Sequence, residues 1–216
     1  MPARSTSTAT ESSRPSSEHF SWDAEAGMGM DQTEVPLDLY SSDYWSEYRK
    51  RDATPTGARL TLERIRFVKR NVGAEEVVDI GIGGGRFVTE RGGLTFGFDV
   101  SEPAVKWLKS NQRFWNPYRH KPQNITCWDS LEHLKNPAML IDRVDEHVFV
   151  SMPIYKDAAD CLASKHFKPG EHLWYFTDWG LEEWFHERGF ALMERNKMET
   201  ECGREGIESF LFRRVD

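Results

Sequence analysis

Apolar and polar positions follow two different periods along the chain, and each period predicts a different element. Between Gly57 and Gly73 apolar residues recur at steps of three and four, which predicts a helix that ends at Gly73. Short, mostly apolar runs predict buried strands at 77–80, 95–98, 125–128 and 147–153. Helices and strands therefore alternate through the middle of the chain.

The last third continues this alternation and then changes it. Thr177 can cap a helix that carries Leu181 and Trp184 on one face. The runs 190–200 and 206–214 then predict two strands joined by a turn that contains glycine. We predict an α/β fold with a Rossmann-like, mostly parallel sheet, helices on both of its faces and a C-terminal antiparallel hairpin.

The N-terminal part of the chain has a different composition. Residues 1–33 are rich in Ser and Thr and poor in branched apolar residues, which predicts a disordered leader. Residues 34–56 contain a cluster of aromatic side chains, among them Tyr44 and Tyr48 four positions apart. These rings either pack one face of a helix or form a lid over a ligand. Residues 57–216 would form the main domain.

Composition excludes some classes of function and disfavours others. The formal net charge of −7 over 216 residues gives no global basic field, so nucleic acid is a disfavoured partner. Three dispersed cysteines indicate neither a disulfide framework nor a zinc site. No apolar run approaches the ~20 residues that span a bilayer, so we expect no membrane partner and a cytoplasmic location.

A glycine-rich loop follows the run at 77–80 and is the strongest chemical signal. It reads DIGIGGG, with Asp79 ahead of Gly81, Gly83 and Gly85. A dinucleotide-binding loop would need glycine at the position of Arg86, so a nicotinamide-dependent oxidoreductase is disfavoured. A plain tight turn is the alternative. Asp99 ends the next predicted strand, about twenty residues on, where an acidic side chain can accept hydrogen bonds from a ribose diol.

From about residue 40 to 214 the chain resembles the class I S-adenosylmethionine (SAM) dependent methyltransferases. The resemblance is closest to the small single-domain group that includes O-methyltransferases of ubiquinone biosynthesis. Five strings carry it: DIGIGGG, GFDVSE, DSLEHL, VFVSMP and HLWYFTDWGLEEWFHERGF. The family's third strand is not recognisable between 113 and 124, and nothing in the sequence corresponds to a separate substrate-binding domain.

The resemblance implies SAM as cofactor and assigns roles to particular residues. Gly81, Gly83 and Gly85 would form the SAM loop, Asp79 would lie near the methionine amino group, and Asp99 would hold the ribose. Asp129 or a neighbour would approach the cofactor from the next strand end. Tyr44 and Tyr48 would cover it, because a sulfonium cation and an adenine both favour aromatic faces.

A possible metal site follows the run at 125–128. Asp129, Glu132 and His133 stand at i, i+3 and i+4, so a helix starting there would place them on one side. Some O-methyltransferases, including those that modify the 2′-hydroxyl at the 3′ end of small RNAs, carry a similar set and a later histidine, which implies His166 or His172 as a further ligand. Oxygen and imidazole donors suit Mg²⁺ or Mn²⁺. The alternative is a helix-start contact without metal.

The acceptor and the catalytic base are open at this point. A small molecule methylated at a hydroxyl oxygen is the leading interpretation, and a base among His133, His166 and His172 would take the proton, oriented by Glu132. Tyr155 could stack on the acceptor or form a hydrogen bond with it. The alternatives are a metal-dependent 2′-O-methyltransferase of RNA or nucleotides, and a SAM-binding protein without activity.

Overall fold

A computed structural model of the protein describes residues 18–36 and 40–215. Its strands are β1 (Phe20–Asp23), β2 (Met28–Asp31), β3 (Val77–Ile80), β4 (Thr95–Phe98), β5 (Asn124–Trp128), β6 (His147–Pro153), β7 (Trp174–Phe176), β8 (Phe190–Asn196) and β9 (Ile207–Arg214). Its helices are α1 (Ser42–Asp52), α2 (Pro55–Val72), α3 (Arg86–Arg91), α4 (Glu102–Ser110), α5 (Ala138–Ile141), α6 (Ala158–Ala163), α7 (Asp178–His186) and α8 (Met198–Glu201), with a 3₁₀ turn at Leu131–His133.

The main sheet confirms the predicted fold class. Its strand order is β4-β3-β5-β6-β9-β8, with β4, β3, β5 and β6 parallel and β9 antiparallel to both β6 and β8. Every residue of β3 and β5 is buried, as the apolar runs indicated. The parallel strands place the carboxyl ends of β3, β4 and β5 at one edge, where loops can form a site.

The expected third strand is reduced to a single contact. Phe114 forms an isolated parallel bridge with Gly97, beside β4 at the edge of the sheet. The segment around it contains turn-forming residues and no run of β-branched residues, so it cannot extend this pairing.

Part of the predicted disordered leader is ordered, which corrects the prediction for that stretch. β1 and β2 form a hairpin, and β2 pairs antiparallel with β7 to give a separate sheet of order β1-β2-β7. Phe20 contacts Phe167 and Tyr175 edge to face, with ring centroids 5.2 and 5.4 Å apart. These contacts lie about 150 residues away in the sequence, so local composition could not reveal them. Residues 1–17 of the predicted leader lie outside the described residues.

The predicted boundary between residues 56 and 57 falls inside α2. Pro55 occupies the first turn of that helix, and the Thr54 hydroxyl accepts a hydrogen bond from the Gly57 amide at 3.0 Å. Both features are favourable at a helix N-terminus. The aromatic segment therefore runs directly into the main domain. Among the described residues, none of the helices is long and apolar enough to cross a membrane.

Candidate functional site

The glycine loop joins β3 to α3 and lies at the carboxyl edge of the sheet. Gly81, Gly83 and Gly85 have φ angles of 74°, 53° and 82°, in the region that favours glycine. At Gly83 a Cβ atom would also come within 3.1 Å of the Tyr48 ring. The loop therefore requires glycine there both for its backbone conformation and for the close approach of α1.

Two carboxyl groups support this loop. Asp79 is buried and accepts a hydrogen bond from the Thr126 hydroxyl at 2.7 Å, and its burial raises its pKa to about 7. The Asp99 carboxylate accepts from the amides of Ile82 at 3.0 Å and Ser101 at 2.8 Å, and burial raises the pKa of Asp99. Asp99 thus fixes the loop to the end of β4, and each of its oxygens keeps a further lone pair for a ligand.

A cavity of about 570 Å³ opens above the loop, and we call it the apolar cavity. Its volume lies within the range of ~300–1,000 Å³ that is usual for ligand sites. Its lining combines the loop, Asp99 and the aromatic residues of the N-terminal segment: Val35, Tyr40, Tyr44, Trp45, Tyr48, Ile80, Gly81, Gly83, Phe98, Asp99, Val100, Ser101, Tyr118, Asp129, Ser130, His133, Leu134, Lys135, Asn136 and Met139.

The aromatic segment covers one side of the apolar cavity. None of the residues of α1 is fully buried, and Trp45 is the residue of this helix that packs against a buried hydrophobic cluster, beside Trp107. The Tyr44 ring lies 4.5 Å from that of Tyr48 and 5.4 Å from that of Tyr40, which forms a row of rings along the cavity. Burial raises the pKa of Tyr40 to about 12. The segment therefore has the position that a lid requires.

Asp129 follows β5 and lines both the apolar cavity and a second cavity of about 330 Å³, which we call the polar cavity. Its backbone is left-handed, with φ of 52°. Although its burial opposes ionisation, the Arg204 and Arg64 guanidiniums hold its pKa below the usual range. Asp129 Oδ2 accepts from Arg204 Nη1, and from Arg64 Nη2 at 3.3 Å. The same two arginines donate to Glu199, whose side chain is fully buried.

Three of the five predicted metal ligands come together. The possible ligand atoms of Glu132, His133 and His172 all lie within 4.8 Å of one another, and no other such group occurs among the described residues. Neither carboxylate oxygen of Glu132 has a hydrogen-bond partner within the described part of the chain, although its side chain is 1% exposed. Burial raises the pKa of Glu132, lowers that of His133, and lowers that of His172 to about 3.

Two candidate ligands lie outside this group: Asp129, whose position corrects the predicted set, and His166, which was the alternative to His172. Asp129 is held by the arginines, because the left-handed residue and the 3₁₀ turn after it replace the α-helix that would have aligned it with Glu132. His166 Nε2 lies 2.8 Å from the Glu205 carbonyl oxygen, so this side chain contacts the segment between β8 and β9.

Three of the four predicted catalytic residues do not line the apolar cavity: Glu132, which lies in the group with His133 and His172, and His166 and Tyr155. The Tyr155 hydroxyl donates to the His166 carbonyl oxygen at 3.2 Å, and its ring packs beside Tyr175 in the core. Their contacts are structural. Of the predicted bases, His133 is the one in the cavity lining.

Sequence reasoning missed the two arginines of the polar cavity and Glu199, which contacts both of them. Arg64, Glu199 and Arg204 come from α2, α8 and the following loop, and Arg204 contacts Asp129 across 75 positions of sequence. A charged residue in a polar helix gives no signal of such a contact. The one available hint was the charged segment 201–205 between two predicted strands.

Comparisons with known proteins agree with this architecture. A sequence model described as a methyltransferase domain matches residues 45–195. A search among curated proteins found no significant match.

Several solved structures share the fold at low identity. Magnesium protoporphyrin IX methyltransferase (ChlM) from Synechocystis PCC 6803 with bound SAH is 14% identical, with a TM-score of 0.61 over 82% of this chain and 97% of that chain. The 1,6-didemethyltoxoflavin-N1-methyltransferase of Burkholderia thailandensis, with bound 1,6-didemethyltoxoflavin and S-adenosylhomocysteine, is 15% identical, with a TM-score of 0.55 over 90% and 97%. CcbJ methyltransferase from Streptomyces caelestis is 14% identical, with a TM-score of 0.56 over 85% and 98%.

Proposed function

The chain belongs to the class I SAM-dependent methyltransferases, and from that premise we propose that it methylates a hydroxyl oxygen of a small molecule in the apolar cavity. The observation that carries the proposal is the convergence of the glycine loop, Asp99 and His133 on one mostly apolar space. Such a space suits an adenosine and a small acceptor better than a nucleic acid backbone. A cytoplasmic location stays a prediction.

In this proposal the cofactor lies across the glycine loop. Asp99 would accept hydrogen bonds from the ribose diol, and the apolar lining would bury the adenine. The Tyr44 and Tyr48 rings would face the sulfonium, whose positive charge favours aromatic faces. Alignment of the acceptor oxygen with the methyl carbon and sulfur would supply most of the rate, because the sulfonium is already activated.

His133 is the proposed proton acceptor. Burial lowers its pKa, so the imidazole is neutral near pH 7 and can take a proton. The acceptor oxygen would attack the methyl carbon, the carbon–sulfur electron pair would pass to sulfur, and the hydroxyl proton would pass to His133. SAM would leave as S-adenosylhomocysteine and the acceptor as its methyl ether.

A specific observation favours a metal-dependent version of the same reaction. The Glu132 carboxylate is buried without a partner among the described residues and lies beside two imidazoles. A buried charge of this kind needs a cation or a proton. Glu132, His133 and His172 would hold the ion, and one carboxylate with two imidazoles suits Mn²⁺ better than Mg²⁺. The ion would lower the pKa of the acceptor hydroxyl.

The experiment combines methyl transfer with metal binding. Purified protein is incubated with SAM and a panel of small hydroxyl-containing compounds, and mass spectrometry locates the methyl group. We expect an O-methyl product and its loss in His133→Ala. Product on nitrogen or carbon would contradict the oxygen acceptor. If the protein binds SAM but converts none of it with any compound, the result would favour a SAM-binding protein without activity.

Metal binding is measured separately by calorimetric titration of Mn²⁺. We expect Glu132→Gln to weaken binding at least 10-fold, because the carboxylate is the one charged donor of the three. His166→Gln is the matched control and should leave binding unchanged. Equal Mn²⁺ affinity in Glu132→Gln and the wild type would contradict the proposed metal site. His133 would then act as a base without a metal ion.

A further inference from the structure

The segment between the 3₁₀ turn and α5 forms one wall of the apolar cavity. Its residues in the cavity lining are His133, Leu134, Lys135, Asn136 and Met139. Two hydrogen bonds fix the path of this segment. The Leu134 carbonyl oxygen accepts from Trp174 Nε1 at 2.8 Å, and the Asn136 side-chain oxygen accepts from the Met139 amide at 3.3 Å. The backbone on both sides of Lys135 is therefore held in place.

Lys135 is the free cation of this lining. Among the described residues, it is the one lysine or arginine that lines the apolar cavity, and its ammonium group forms no hydrogen bond or ion pair with any of them. The side chain is exposed, so it can reach a ligand at the open end of the cavity. The lysines that do pair with an acidic side chain are Lys50, Lys121, Lys165, Lys168 and Lys197.

The acidic groups in and around the cavity are engaged elsewhere. Asp129 contacts two guanidiniums, and Glu171 pairs with Lys168 at 3.1 Å. Asp99 accepts hydrogen bonds from two backbone amides at the glycine loop. An anionic group of a ligand would be repelled near Asp99 and attracted near Lys135. The lining therefore has a separate place for a negative charge, away from the proposed ribose position.

This place lies close to the proposed proton acceptor, His133. Leu134 between them is extended, with φ of −75° and ψ of 129°. Two extended residues span at most about 7 Å, and alternate side chains of an extended segment point to the same side. Around them Met139 and Tyr118 are 58% and 37% exposed, which marks the open, apolar end of the cavity. One small molecule can therefore place a hydroxyl at His133 and a charged group at Lys135.

We propose that the methyl acceptor is a hydroxy acid and that Lys135 selects its carboxylate. The inference rests on the proposed function and names the substrate class of that site. Lysine supplies a compact, hydrated point charge, and the Asn136 NH₂ group, which has no partner in the described part of the chain, supplies a donor for the second oxygen. Because this ion pair would stay partly in water, it should contribute about 5-fold to affinity.

The experiment compares acids with their neutral amides. The three hydroxybenzoate isomers and the matching hydroxybenzamides are titrated calorimetrically into the complex of the protein with S-adenosylhomocysteine, and the turnover of each compound is measured with SAM. The variants are Lys135→Gln, Lys135→Arg and Lys135→Glu. Lys106→Gln is the control, because Lys106 is an exposed lysine of α4 that has no partner among the described residues and lines neither cavity.

We expect the wild type to bind at least one acid about 5-fold more tightly than its amide. Lys135→Gln should reduce this ratio to about one, through a higher KM for the acid, and Lys135→Glu should invert it. Lys135→Arg and Lys106→Gln should keep the preference. Added salt should lower the ratio in the wild type and not in Lys135→Gln, because it screens exposed charges. A residue that only supports the fold would not produce this salt dependence.

Equal affinity of the wild type for acid and amide in every pair would overturn the proposal, and so would failure to bind any of the acids. The same preference in Lys135→Gln would also overturn it. If Lys135→Gln lost S-adenosylhomocysteine affinity as strongly as acid affinity, Lys135 would act on the cofactor and not on the acceptor. The proposed function fails by a different result, namely that SAM binds but no compound is methylated on oxygen.

Discussion

The arginine cluster of the polar cavity and the buried acids Asp79 and Glu132 differ in whether a cation contacts the carboxyl groups. On the polar side Asp129 and Glu199 each contact two guanidiniums, and the pKa of Asp129 is lowered. Two other acids are buried without a contacting cation among the described residues: Asp79, which also lines the polar cavity, and Glu132, next to His133. Burial raises the pKa of each. Paired charges fix the shape of a site, whereas unpaired ones are available to a proton, a cation or a ligand.

The largest effect should come from breaking the paired side. Glu199→Ala would leave Arg64 and Arg204 partly buried with one carboxylate between them, and removing one member of a buried ion pair costs about 3–5 kcal/mol. We expect the free energy of unfolding, measured in urea, to fall by that order. Glu194→Ala is the matched control. Its ion pair with Arg70 is solvent-exposed, so it should cost at most about 1 kcal/mol. Equal losses in the two variants would show that the buried cluster stabilises the fold no more than a solvent-exposed ion pair does.

Asp79 is buried without a contacting cation in the described part of the chain, and its raised pKa predicts that the stability of the protein depends on pH. Asp79 has a pKa of about 7 when folded, above the 3.8 of the unfolded chain, so the folded state binds the extra proton between these values. Its contribution to stability is therefore present below about pH 4 and is lost as the pH rises to 7, by up to roughly 4 kcal/mol. Asp79→Asn should remove this decline. Parallel stability curves for the wild type and Asp79→Asn from pH 4 to 8 would contradict the raised pKa.

The loop that both cavities share gives a third test. Gly83→Val should weaken SAM binding on the order of 100-fold, because the side chain meets Tyr48 and the φ of 53° disfavours branched residues. Gly93→Val separates these causes. Gly93 has the same φ of 53° but nothing within 4 Å of an added Cβ. Calorimetry should show normal SAM affinity in the folded Gly93 variant. A similar loss in both would assign the effect to backbone strain alone.

The sequence predicted the apolar cavity better than the polar one for a physical reason. Gly81, Gly83 and Asp99, which line the apolar cavity, lie within about twenty residues, and the strand, the turn and the strand end each have local sequence signals. The partners of Asp129 come from α2 and from the loop after α8, and only the folded sheet brings them together. The same holds for the hairpin β1–β2, whose partner strand is β7.

The group formed by Glu132, His133 and His172 lies between these two cases. Glu132 and His133 are neighbours, and the string that contains them indicated a site. The choice of His172 over His166 depended on the path of the chain before β7, where the Leu173 amide donates to the Glu132 carbonyl oxygen at 2.8 Å. That contact fixes His172 beside the 3₁₀ turn. Asp129 was wrongly included because the sequence spacing assumed an α-helix at that point.

The smallest effect is expected for a substitution of Glu132. The change in the free energy of unfolding should have the opposite sign to the change in Glu199→Ala. Because the Glu132 carboxylate has no partner among the described residues, Glu132→Gln removes a buried charge and breaks no ion pair. We expect the free energy of unfolding at pH 8 and without metal to rise by up to about 1 kcal/mol, since the new amide still needs hydrogen bonds of its own. At pH 4, where the wild-type carboxyl is protonated in the fold, the two proteins should be equally stable. Urea unfolding at both pH values in a chelator measures this difference. A loss of several kcal/mol at pH 8 would show that Glu132 is a paired structural charge like Glu199, and would end both the comparison and the case for a metal there.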